Sequence, residues 1–196
     1  MKLCISDGNK KLGKLPNISM PSYLSCPGKS KWCQKKCYAN RYEKMYPRCT
    51  PAYIRNMAIS KTPDFIDVII TKIKKMGGPY FRIHPSGDFY STEYIDKWVN
   101  ICQSLPDTLF CVYTRSWIIP ELLSSLNKLK KLKNFQLFFS VDPTMPLPPE
   151  GRVAFIETDK RSNGIMCLEQ TRKKNTCLEC GYCYKNTKKN VIFKIH

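Results

Sequence analysis

Histidine is almost absent from this chain: only His84 and His196 among 196 residues. Few candidates therefore exist for a mixed cysteine–histidine zinc site. Acidic residues are also scarce, 15 against 33 Lys and Arg, giving a formal net charge of +18. No apolar run approaches the length that crosses a bilayer, so no membrane partner is expected. The opening Met1-Lys2-Leu3-Cys4-Ile5-Ser6-Asp7 lacks the charged-then-apolar pattern of a signal peptide. The expectation is a cytoplasmic protein whose thiols stay reduced, which turns attention from disulfides to metal ligation.

What the chain does have is cysteine, 11 in all, an odd number that a fully paired framework does not predict. Seven fall into two groups. Cys26, Cys33 and Cys37 follow the spacing C-x6-C-x3-C, and Cys177, Cys180 and Cys183 follow C-x2-C-x2-C with Cys167 upstream. The tight C-terminal triple has the form of a ferredoxin-type loop for a [4Fe–4S] cluster. A third Cys two residues after a C-x2-C pair fits one tetrahedral ion poorly. The N-terminal three can hold three irons of a second cube and leave the fourth iron open to substrate or cofactor. Lys29, Lys31, Lys35 and Lys36 would offset the negative charge of such a cluster. Zinc is the alternative at either group, with Cys49 or a His completing the first. Cys102 and Cys111 lie in apolar segments and read as core residues, and Cys4 is uninformative.

The positive charge attracts phosphate and so points to nucleic acid. Lys rather than Arg dominates it, however, and AT-rich coding yields the same excess. Along the chain, residues 1–25 read as an irregular arm. Helices are expected over 51–60 and 62–76, the second with Thr62 as N-cap and Pro63 at its first position. Strands over 80–84, 109–114, 135–141 and 152–157 alternate with helices over 92–105 and 120–129. That alternation implies an α/β fold with a mainly parallel sheet, and the units are too few to close an eight-fold barrel. The expected architecture is a partial (β/α) barrel or an open sheet spanning residues 1–160, followed by a Cys-rich basic segment, 161–196.

In such folds ligands bind beyond the C-terminal ends of the strands. Here those ends carry Arg82, His84, Ser86 and Asp88, then Tyr113, Thr114 and Arg115, then Ser140 and Asp142. Arg82 and His84 are expected to share a face, because strand residues alternate. Charge on a buried strand is unfavourable unless it lines a site. Arg82, His84, Asp88, Tyr113, Arg115 and Asp142 are therefore the catalytic candidates, with His84 a proton-transfer or hydrogen-bonding group. Ordinary turn chemistry at Ser86-Gly87-Asp88 and Asp142-Pro143 is the competing reading.

Taken together, the segments 19–21, 26–28, 32–33, 37–39, 46–47, 82–89, 94–95, 98, 113–116 and 140–142, with the terminal cysteines, resemble the phage gene-product-eighty-eight family. The resemblance covers about residues 19 to 184 and implies a phage or mobile-element origin, hence the host cytoplasm. Cys49 is not part of that pattern, which implies an open three-cysteine site. The chain is more distantly similar to radical S-adenosylmethionine enzymes. These place three cysteines on a loop before a partial barrel, and a short Gly- and acid-containing motif after the next strand. That similarity implies S-adenosylmethionine as cofactor, with Ser86, Gly87 and Asp88 binding it, although C-x6-C-x3-C departs from the usual C-x3-C-x2-C. Three functions follow: a radical S-adenosylmethionine-like enzyme with one or two [4Fe–4S] clusters, a nucleic-acid-binding or regulatory iron–sulfur protein, and a zinc-stabilised structural protein. The oligomeric state is left open.

Overall fold

The structure, a computed structural model, describes residues 2–195. His196, a candidate for a mixed zinc site, lies outside them. The helices are α1 (Lys31–Lys36), α2 (Tyr38–Met45), α3 (Cys49–Ser60), α4 (Phe65–Met76), α5 (Thr92–Ser104), α6 (Pro120–Lys130) and α7 (Cys177–Cys180). The strands are β1 (Asn17–Ile18), β2 (Tyr80–Ile83), β3 (Leu109–Thr114), β4 (Phe135–Ser140), β5 (Arg152–Ile156), β6 (Ile165–Met166) and β7 (Val191–Phe193).

These seven strands form one sheet in the order β1-β2-β3-β4-β5-β7-β6, with every pair parallel. The sheet is open, ending at β1 and β6. Because β1 to β5 follow chain order, right-handed crossovers bring successive helices to one side. Accordingly α5 packs between α4 and α6. Strand alternation then divides the residues. Phe81, Ile83, Phe110, Val112, Leu137, Phe139, Val153 and Phe155 join the helical core with Ile69, Trp98 and Leu126. The opposite face carries Cys111, Phe138, Ala154 and Val191. It is covered by Leu12 and Leu15 from the N-terminal arm and by Tyr184 from the C-terminal turn.

The expected strands and the helices over 92–105 and 120–129 match within a residue or so of each end. Three expectations need correction. Thr62 does not cap α4, whose N-cap is Asp64. Thr62 instead closes α3, its amide and hydroxyl both bonded to the Ile59 carbonyl. The arm over 1–25 is not wholly irregular, since Asn17–Ile18 pairs with Arg82–Ile83 as an edge strand. Residues 161–196 are not appended outside the sheet: β7 runs between β5 and β6.

Candidate metal and substrate cavity

The loop that carries the first three cysteines is built onto the strand ends. Ser30 caps α1 by accepting from the Cys33 amide at 2.9 Å, and donates its hydroxyl to Asp142 Oδ2 at 2.6 Å. Arg115 Nη1 donates to the same oxygen at 2.6 Å. Asp142 Oδ1 accepts from the Thr144 amide and hydroxyl. Burial pushes the Asp142 carboxyl up, but the bonds from Ser30 and Thr144 and the Arg115 charge outweigh it and hold the group below its usual range. Two glycines permit the close approach. A Cβ on Gly28 would meet the Arg115 carbonyl oxygen at 2.2 Å, and one on Gly87 would meet Ser25 Oγ at 2.5 Å. Gly87 also has φ +79°, which favours glycine.

The docked loop brings its thiols together. Cys33 and Cys37 share a hydrogen bond, which lowers Cys37 to about 6 and raises Cys33. Cys37 is also the N-cap of α2, its sulfur accepting from the Asn40 amide at 3.4 Å. Cys26 is pushed up to about 12 by burial and the Asp88 charge. Cys49, at the start of α3, is hydrogen-bonded with Tyr53 and faces the same cavity as the other three.

The C-terminal group is docked onto the arm. The amides of Cys177 and Leu178 donate to the carbonyls of Lys11 and Leu12. Thr176 caps α7, and Gly181 ends it with φ 59°. Charge on Cys167, Cys177 and Cys183 is mutually felt, as expected of neighbouring thiols. Cys183 is lowered to about 6 by a hydrogen bond from Cys111, against its burial, and by the Tyr113 hydroxyl, which donates to its sulfur at 2.7 Å. Cys111, read from sequence as core, is thus a fifth thiol of this group. Sequence alone could have found it only by noticing that Cys111 and Tyr113 share a strand face with period two.

Two arginines, Arg152 buried and Arg82 half-buried, complete this region. Arg82 stacks on the Tyr113 ring at 4.0 Å and points Nη1 at Cys111 Sγ, 3.8 Å away. Arg152 stacks on Phe138 at 4.0 Å and donates to Gln136 and two carbonyls. Among the described residues neither has a carboxylate partner, and Arg82 Nε and Arg152 Nη2 are buried without an acceptor. Both charges favour thiolate at Cys183.

The strand-end residues divide differently from the sequence expectation. Arg82 and His84 do not share a face, because His84 lies past the end of β2 with φ +53°, which breaks the alternation. Its ring enters the helical side, with Nε2 2.9 Å from the Tyr94 hydroxyl and an edge contact to Phe89. Burial, then the Arg82 charge, depresses its pKa to about 3, so it is neutral and a poor proton shuttle near neutrality. Asp88 is a latch: its carboxylate accepts from the Phe89 and Arg115 amides and the Thr114 hydroxyl. Burial raises its pKa against those bonds. The Ser86 hydroxyl donates to Glu43 Oε1 at 2.6 Å, and the Ser22 amide donates to the same oxygen. Sequence reasoning missed Glu43, a buried carboxylate on a helix that otherwise reads as basic surface.

One cavity of about 670 Å³ joins these parts. Its wall includes Cys26, Cys33 and Cys37 on one side and Cys167, Cys177, Cys180 and Cys183 on another, with Arg82, Tyr113 and Arg115 also lining it. Among the described residues no three His, Cys, Asp or Glu side chains are gathered as around a single ion. Both groups fit a thiolate-ligated cluster in donor type. The second also fits in charge, since the Arg82 and Arg152 guanidiniums favour thiolate at Cys183.

The family model described as Gene product 88 matches residues 2–191. A "Gene 88 protein" of Mycobacterium phage L5 is 28% identical, over 95% of this chain and 89% of that protein. The "Gene 88 protein" of Mycobacterium phage D29 is 27% identical with the same coverage. No solved structure matches. Among the described residues no helix is long and apolar enough to cross a membrane.

Proposed function

The chain belongs to the Gene product 88 family, and from that premise we propose that it is a phage iron–sulfur protein of the host cytoplasm with two [4Fe–4S] sites on one cavity. Cys26, Cys33 and Cys37 hold the open site, and Cys167, Cys177, Cys180 and Cys183 the closed one. The observation that carries the reading is the shared cavity: Cys26, Cys33 and Cys37 face the same space as a second thiol group. The second support is electrostatic. Arg82 and Arg152, without carboxylate partners and each with a buried nitrogen lacking an acceptor, balance a negatively charged cluster but not neutral thiols or a disulfide.

The finer reading is an enzyme on a partial barrel, similar to radical S-adenosylmethionine enzymes. A cube held by three thiolates supplies an iron with a free coordination position and a one-electron reductant. The protein's own groups do the rest. Ser30, Asp142 and Arg115 fix the cysteine loop over the strand ends. Asp88 and Gly87 hold the adjoining turn. Asp88 braces that turn with two bonds accepted at Oδ1 and one at Oδ2, and it also lines the cavity. S-adenosylmethionine binding rests on the open iron and the cavity.

Anaerobic reconstitution followed by titration with S-adenosylmethionine tests this. The expected result is a perturbed electron paramagnetic resonance signal from the reduced N-terminal cluster, absent in a Cys33→Ala variant. An unperturbed signal with no cleavage of S-adenosylmethionine would remove the enzyme reading and leave a redox-active binding protein.

A further inference from the structure

The helical hairpin that carries the first cysteine group has an outer surface that neither metal site uses. Residues 29–48 contain seven Lys and Arg and one acid, Glu43, which is buried. Lys35, Lys36, Arg41, Lys44 and Arg48 are exposed. Among the described residues none of these five pairs with a carboxylate. Aromatic rings run between them. Tyr38, Tyr42 and Tyr46 recur every four residues along α2 and past its end, so they form a stripe on one helix face. They are 49%, 44% and 49% exposed, and the neighbouring Met45 is 70% exposed. The Tyr42 and Tyr46 rings lie 4.4 Å apart. The Tyr38 hydroxyl donates to the Pro85 carbonyl, whereas Tyr42 and Tyr46 form a touching pair of rings that leave nearly half of their surface open. An open aromatic pair flanked by unpaired cations matches a partner of planar apolar faces and negative charges.

We propose that this surface binds single-stranded nucleic acid, with bases stacking on Tyr42 and Tyr46 and phosphates following Lys35, Lys36, Lys44 and Arg48. Stacking on exposed rings needs bases that are not already stacked in a duplex, which selects single strands. The basic residues supply the sequence-independent attraction. The stripe leads inward: Tyr38, Tyr42, Lys36 and Arg48 also line the cavity, so a strand on α2 runs toward Cys33 and Cys37. As a binding surface this stands without any cluster; as the route by which a nucleotide reaches the open iron it rests on the reading above.

Fluorescence anisotropy of the full chain with labelled oligothymidylate, its ribonucleotide counterpart and the matching duplex tests the proposal, over a salt series and with iron content measured on the same preparation. Single strands are expected to bind at least ten-fold tighter than duplex. A Tyr42→Ala/Tyr46→Ala double variant should lose ten-fold or more, and Tyr42→Phe/Tyr46→Phe should retain binding, because the ring and not the hydroxyl stacks. Lys35→Gln/Lys36→Gln should flatten the salt dependence. Duplex binding as tight as single-strand binding, or alanine variants that bind as the parent does, would overturn it. Single-strand binding by iron-free protein would support the surface while counting nothing toward the cluster, so the two readings fail separately.

Discussion

At the scale of single residues, His84 shows how one backbone angle redirects chemistry. A strand reading puts its imidazole beside Arg82, but φ +53° turns it into the core against Tyr94 and Phe89. There it is buried and neutral, with a pKa near 3 against an ordinary 6.5. In the unfolded chain it gains a proton as pH falls through 6.5, whereas the folded chain takes none until about 3. Stability from this residue is therefore full above pH 6.5 and is lost as pH falls toward 3. The loss accumulated by pH 4 is on the order of 3 kcal/mol. Urea unfolding of a His84→Asn variant, in which Asn tolerates the positive φ, should show a shallower loss of stability between pH 6.5 and 4 than the parent. Equal slopes would mean that the imidazole is not buried neutral. Cys111 is the complementary case. Its apolar strand neighbours gave it the signature of a core residue, and only tertiary contact places its thiol against Cys183 and Arg82.

At the scale of elements, long regular segments were legible and short ones were not. The strand over 109–114 and the helix over 92–105 have enough residues for period and composition to speak. The two- and three-residue strands Asn17–Ile18, Ile165–Met166 and Val191–Phe193 carry no readable period, and they exist because neighbouring strands supply their partners. The polar strand ends were legible as special, but their partners were not: Asp142 ties to Ser30 of the cysteine loop and Asp88 to the end of β3, which only long-range hydrogen bonds reveal. The placement of β7 has a consequence for the 1–160 boundary suggested by sequence. Without residues 161–196, β5 loses its parallel neighbour and becomes an exposed edge. Arg152 also loses the carbonyls of Lys185 and Lys189. A chain ending at residue 160 should aggregate or lack a cooperative thermal transition by circular dichroism. A soluble, cooperatively folding fragment would show the C-terminal segment to be dispensable to the sheet.

At the scale of the whole molecule, the parallel order leaves helices on one face and frees the other for polar and aromatic groups. The N-terminal arm and the C-terminal turn close over that face, and each brings cysteines or the contacts that hold them. Two thiol groups more than a hundred residues apart in sequence thereby face one cavity of about 670 Å³. The cysteine spacing made two thiol groups legible from the start, whereas their common cavity and the arginines beside them required the fold. The most direct test is the iron, acid-labile sulfide and zinc content of protein purified without oxygen, for the parent and for variants lacking each cysteine group. Iron and sulfide in near-equal amounts are expected, falling by about half on replacing Cys26, Cys33 and Cys37 with Ala, or on replacing Cys177, Cys180 and Cys183. Stoichiometric zinc without sulfide in the parent would contradict the account.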